Sequence, residues 1–154
     1  MARTIPFYTS PQAARARRSK TLLLPMPRVQ ADELSLQVHI ALDAMRRAQG
    51  NVSAAQTLCQ VMILVGLLAE AGYGSATFEQ MQRAEEVIAS AFDRGRDRGV
   101  WMLDDDGFAQ FATIVSTYDL QLRRAPVAAI ADASDRLDRF RAGDSFDQIA
   151  PRRT

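Results

Sequence analysis

Several residue types that build functional sites are nearly absent from this chain of 154 residues. It has one cysteine, one histidine and one tryptophan. A single cysteine excludes an internal disulfide, and so few thiols and imidazoles argue against a clustered metal centre. We therefore expect neither a metal ion nor any other cofactor. Cys59 lies in an apolar run, so we expect a buried structural thiol in a reducing compartment.

Long hydrophobic runs are also lacking. The longest uninterrupted apolar run, Val61 to Ala69, has nine residues and is too short to span a bilayer. Only three leucines precede Pro25, fewer than the apolar region of a secretory signal needs. We expect a cytoplasmic protein without a membrane partner. Lys20 is the only lysine among 19 basic residues, a bias that we associate with GC-rich bacterial genomes.

Acidic residues are missing from the start of the chain. Residues 1–30 carry six basic side chains and no acid, whereas residues 31–145 carry 11 basic and 17 acidic ones. The net charges are therefore +6 and −6. This asymmetry predicts a basic, Pro-containing, largely disordered arm over residues 1–30. We expect a helical bundle domain over residues 31–145 and a C-terminal tail over residues 146–154.

The bundle domain shows helical periodicity and no strand alternation. Apolar residues recur at three- and four-residue steps from 32 to 48, which predicts a first helix. A second helix should run to about Ala71, with Asn51 or Ser53 as its cap. Its stretch from Val61 to Ala69 has no polar face, which is typical of the central helix of a bundle.

Three further helices follow in the sequence. Thr77 and Gln80 form a capping box for the third, and residues 93–99 read as a loop after it. Three aspartates, with Asp106 as the cap, open the fourth, and Pro126 suits the first turn of the fifth. The sequence predicts an all-α fold, a single five-helix bundle with short loops.

The stretch "GNVSAA" contains Gly50, Asn51, Ser53 and Ala55. It resembles the opening of the Fis-type helix-turn-helix. Over residues 22–142, including "LSLQVHIALDAMRRAQGN", the chain is similar to short all-helical bacterial proteins labelled Fis-family transcriptional regulators. This resemblance implies an all-helical fold and carries no catalytic residues with it. It also implies the alternative function of a DNA-binding transcriptional regulator.

The chain departs from the Fis pattern where that motif would read DNA. The turn glycine of the family falls on Gln60, and its recognition-helix arginine falls on Ile63. Apolar side chains from Val61 to Ala69 have no donors for base edges or phosphates. We therefore expect this half of the helix to lie in the core.

The basic arm is the most informative candidate site. Its cations could neutralise phosphates while Phe7 and Tyr8 stack on bases, or they could dock on an acidic protein surface, either that of the chain itself or that of a partner. The arm residues are Arg15, Arg17, Arg18 and Lys20. A possible secondary patch consists of Arg94, Arg96 and Arg98.

Catalysis is not indicated by the remaining residues. His39 has Asp43 four positions on, where the two could pair along a helix, but no persuasive nucleophile accompanies them. We expect a structural histidine, and we expect Trp101 to pack on the core. The sequence thus favours a non-catalytic interaction or regulatory protein that binds an unidentified macromolecule through the arm.

Overall fold

A computed structural model describes residues 11–141, apart from the side chains of Ala13, Ala14 and Arg18. These residues form helices and no strand, which confirms the all-α prediction. The six helices are α1 (Pro11–Leu22), α2 (Arg28–Arg46), α3 (Val52–Glu70), α4 (Phe78–Arg98), α5 (Asp105–Arg124) and α6 (Val127–Arg141). The predicted count of five is therefore wrong by one. The predicted tail over residues 146–154 and the first ten residues of the arm lie outside the described part.

The additional helix, α1, lies within the predicted disordered arm. Pro11 occupies its first position, where the missing N–H is not needed, and alanine and arginine in the following turns are strong helix formers. Pro25 and Pro27 separate α1 from α2. Because α1 has no apolar stripe, periodicity could not reveal it.

The helix α3 lies at the centre of the bundle and packs against α2, α4, α5 and α6. This arrangement explains why its stretch from Val61 to Ala69 has no polar face. By length and composition alone α3 could cross a membrane, with a mean hydropathy of 1.8, but a core helix passes the same test. Its buried residues are Ala55, Leu58, Val61, Met62, Val65, Leu67 and Leu68.

The segment between α1 and α2 is fixed to the start of α6. The Val127 amide donates to the Leu24 carbonyl at 2.9 Å, and Pro25 and Pro126 form an antiparallel bridge. Met26, directly after this bridge, is 9% exposed and belongs to the core. The bundle therefore holds the chain from Leu24 onward.

The predicted loop over residues 93–99 is wrong, because α4 continues to Arg98. Gly95 is buried inside the helix, where a Cβ atom would lie 2.4 Å from two ring carbons of Trp101. Gly99, with φ 69°, is the residue that ends α4. Trp101 then packs edge-on against Phe92, with ring centroids 5.7 Å apart, in agreement with its expected place on the core.

The capping predictions have mixed outcomes. The capping box of α4 is confirmed in both directions, with Gln80 N to Thr77 Oγ1 at 3.1 Å and Thr77 N to Gln80 Oε1 at 3.0 Å. At α5 the cap is Asp104 rather than Asp106, since Asp104 Oδ1 accepts from Gly107 N at 2.7 Å. Asp106 lies inside the first turn of the helix.

Candidate functional site

The basic residues of α1 lie on a helix that buries almost nothing. Every α1 side chain that the structure describes is exposed, including Arg15, Arg17 and Lys20. Arg18 lies on the same helix, but its side chain is outside the described set. α1 packs sparsely on α6, and none of the ion pairs described within residues 11–141 engages an α1 cation. The charge of α1 is therefore available to a partner.

The cations of α1 do not all point the same way. Arg15 and Arg17 are two positions apart on a helix, so they project to opposite sides. A partner that contacts one side of α1 meets only part of the charge. A partner with anionic groups on both sides of the helix, as in a nucleic-acid groove, meets all of it.

The predicted secondary patch is not a single basic surface. Arg94 is half-buried, and its Nη2 donates to the Met102 carbonyl at 3.3 Å, which fixes the loop after α4. Arg96 pairs with Asp93 at 2.8 Å, whereas Arg98 is exposed. α4 packs on α3 and α5 while α1 packs on α6, so the structure does not join this group to α1.

The residues that carry the Fis resemblance have structural roles here. A Cβ atom on Gly50 would lie 2.8 Å from the Trp101 carbonyl oxygen, and the Gly50 amide donates to that carbonyl at 3.3 Å. Asn51 is the N-cap of α3, because its Oδ1 accepts from Ala54 N at 2.8 Å. Ala55 is fully buried. The packing of the α2–α3 turn thus accounts for three of the four matching residues.

The segment that would form the turn of a helix-turn-helix is helical. α3 continues without interruption from Val52 to Glu70, through Gln60, where the Fis pattern places its turn. Val61 and Val65 are buried, and Ile63 and Leu64 pack on the core while partly exposed. The surface of α3 from Val61 to Ala69, where the Fis pattern places its recognition helix, is therefore unsuited to donate hydrogen bonds to DNA.

His39 is paired across the bundle and not along its own helix. Its Nε2 lies 2.8 Å from Oδ2 of Asp119 on α5, while Asp43 pairs with Arg47 at 3.1 Å. The Ser35 hydroxyl donates to the other oxygen of Asp119. A nucleophilic serine needs its hydroxyl on the imidazole, whereas here Ser35 and His39 share one carboxylate. The cluster holds α2 against α5.

Other chemistry-bearing groups of the described part are isolated. Burial raises the pKa of the half-buried Cys59 thiol, and the Glu85 carboxylate raises it further. No three His, Cys, Asp or Glu side chains within residues 11–141 are placed to share a metal ion. An open cleft of about 360 Å³ is lined by Met26, Arg28, Ala31 and Arg123. It is too open to enclose a small ligand.

The outer face of α2 is a feature that the sequence analysis missed. Val29, Leu36 and Ile40 are 71%, 59% and 60% exposed. Spacings of seven and four residues put them on one line along the helix, within roughly 40° of each other. We call these three residues the outer stripe. The signal was visible in the sequence, since Leu36 and Ile40 fall outside the buried positions of α2.

Comparisons with protein families, with characterised proteins and with solved structures found no match to this chain.

Proposed function

We propose that this protein is a small, non-catalytic interaction protein, with a regulatory role, that binds an acidic macromolecule through α1. The observation that carries the proposal is the charge of the described α1 side chains, which are exposed and take part in none of the described ion pairs. Arg15, Arg17 and Lys20 lie on a helix whose described side chains are all exposed, and no acid precedes Asp32 in the chain. The partner is therefore anionic: an acidic protein surface that flanks α1 on both sides, with a nucleic acid as the alternative.

Long-range electrostatics supports this choice of partner. Opposite charge speeds encounter and excludes cationic partners without requiring a deep pocket. The body of the chain, residues 31–145, carries a net charge of −6. It therefore repels an anionic partner, which α1 attracts. Binding should therefore be concentrated on α1 and should weaken as salt is added.

The alternative is a DNA-binding transcriptional regulator, as the Fis resemblance implies. In this fold such a protein would contact DNA through α1 and not through α3, because α3 is continuous and is apolar from Val61 to Ala69. Four phosphate contacts from Arg15, Arg17, Arg18 and Lys20 would give a slope of about −3.6 in log K against log salt. Affinity would then fall roughly 100-fold between 50 and 200 mM salt.

The test is the binding of the full chain to two labelled probes, a random-sequence DNA duplex and polyglutamate, across a salt series. We expect polyglutamate binding that disappears on deletion of residues 1–21. Duplex binding with the steep slope would favour the DNA alternative. Binding to neither probe at low salt would overturn both.

Two controls keep the interpretation specific to α1. A variant with glutamine at positions 15, 17, 18 and 20 removes the charge but keeps the helix, and it should lose binding. The matched variant Arg96→Gln/Arg98→Gln removes exposed cations from α4 and should bind as well as the wild type. Deleting residues 1–21 should leave the melting temperature unchanged, since Leu24 and its bond to Val127 are retained.

A further inference from the structure

The outer stripe of α2 is an apolar surface that the bundle itself does not use. α2 packs on α3 and α5, and its buried residues lie on the opposite side of the helix from the stripe. Three large aliphatic side chains on one line are a typical seam for a second helix.

The charges beside the stripe are arranged in two halves. The N-terminal half, residues 28–37, contains Asp32 and Glu33 against Arg28 and has a net charge of −1. The C-terminal half, residues 38–47, contains Arg46 and Arg47 against Asp43 and has a net charge of +1. A helix with this pattern is complementary to itself when the two copies run antiparallel.

We propose that the outer stripe binds the outer stripe of a second copy of this chain, with the two α2 helices antiparallel. When the pair is centred near His39, Leu36 of each copy lies against Ile40 of the other. With the centre at His39, Asp32 of each copy is level with Arg46 of the other, and Glu33 lies about 3 Å along the axis from Arg47. A twofold axis repeats each of these contacts.

The antiparallel direction follows from the charges. A parallel pair would place Glu33 beside Glu33 and Arg47 beside Arg47, which is unfavourable in both halves. Arg47 already pairs with Asp43 at 3.1 Å, but both side chains are more than half exposed, so this contact is weak. Arg47 therefore remains available to Glu33 of the second copy.

The size of the outer stripe sets the expected affinity of the dimer. A helix of 19 residues is about 28 Å long, and one helix face falls at the small end of specific interfaces. We expect a reversible dimer with a dissociation constant on the order of micromolar. The dimer carries two α1 helices, so it presents the proposed partner-binding element twice.

Sedimentation equilibrium of the full chain tests the proposal. The average mass should rise from 17.0 kDa toward twice that value as the protein concentration increases from about 1 to about 500 µM. The variant Leu36→Gln/Ile40→Gln should weaken dimerisation at least tenfold, with an unchanged melting temperature when measured at 1 µM. The matched control is Leu120→Gln, which removes an aliphatic side chain that is 48% exposed on α5.

A charge exchange tests the antiparallel register. Glu33→Arg alone and Arg47→Glu alone should each weaken the dimer several-fold, and the double variant should recover most of the affinity. A mass of 17.0 kDa for the wild type at every concentration overturns the proposal. So does dimerisation that persists in Leu36→Gln/Ile40→Gln, or a double variant weaker than either single one. Because these readouts need neither DNA nor polyglutamate, they are independent of partner binding by α1.

Discussion

Replacing Gly95 with alanine tests how the end of α4 and the following loop are held together. In a helix interior alanine is normally favoured over glycine by about 1 kcal/mol. Here the new Cβ would lie 2.4, 2.4 and 2.5 Å from three ring carbons of Trp101, so the indole must move by about 1 Å to reach ordinary contact. Trp101 is restrained by Phe92 and by the bond from Gly50 N to its carbonyl. Overpacking of this kind costs up to about 3 kcal/mol, so we expect a net loss of about 2 kcal/mol in the free energy of unfolding.

The assay is urea unfolding followed by circular dichroism and by the fluorescence of Trp101, the sole tryptophan. The melting temperature should fall by roughly 4–8 °C. Gly66→Ala is the matched control, because its Cβ would meet only the flexible end of Met81, at 3.2 Å. It should leave stability unchanged or raise it. Trp101→Leu should lower the free energy of unfolding by less in the Gly95→Ala background than in the wild type. A Gly95→Ala protein as stable as the wild type would refute the packing argument.

The remaining predictions concern a cap, a buried amide and the thiol. Asp104→Ala should lower the free energy of unfolding by about 1 kcal/mol in urea denaturation, and Asp106→Ala by less than half of that; equal effects would contradict the assignment of the cap. Gln121→Leu should cost about 1–3 kcal/mol by the same measurement, since its buried amide donates to two backbone carbonyls, at 3.1 and 2.9 Å, and losing both bonds outweighs the gain from removing its buried Oε1, which has no partner among the described residues; an unchanged stability would contradict that balance. Burial raises the pKa of Cys59, so alkylation by iodoacetamide should reach half its maximal rate at a higher pH in the folded chain than in urea. The protonated thiol contributes to the stability of the fold at neutral pH, and this contribution is lost as the pH rises through the raised pKa. Identical pH profiles of alkylation in the folded chain and in urea would contradict the shift.

Local signals in the sequence were reliable where neighbouring residues alone determine the structure. The capping box of Thr77 and Gln80 needs no other helix, and it is present as predicted. Gly95 and Gly99 show what local signals cannot predict. Both glycines read as breaks, but only Gly99 ends α4, while Gly95 provides space for a ring six residues further along. That requirement arises in the tertiary structure and leaves no local pattern.

The candidate site also contains features that the sequence could predict and features that it could not. The basic residues of α1 could be identified from charge alone, although their helix could not, because a helix without an apolar face has no periodic signal. The pairing of His39 with Asp119 joins residues 80 positions apart, so the local partner Asp43 was the only one that spacing could suggest. The Ser35 contact to the same carboxylate was equally out of reach.

A comparison of α2 with α3 explains why the outer stripe is evidence for an interface. From Val61 to Ala69 α3 is apolar on all sides, and four helices pack on α3, so this composition is explained by the fold. α2 also carries aliphatic residues on its far side, but among the described helices it packs mainly on α3 and α5. Burying a large aliphatic side chain contributes about 1.5–3 kcal/mol. Within residues 11–141 this contribution is unused at Leu36 and Ile40, and the proposed antiparallel second copy provides it while placing Asp32 beside Arg46 at both ends of the pair.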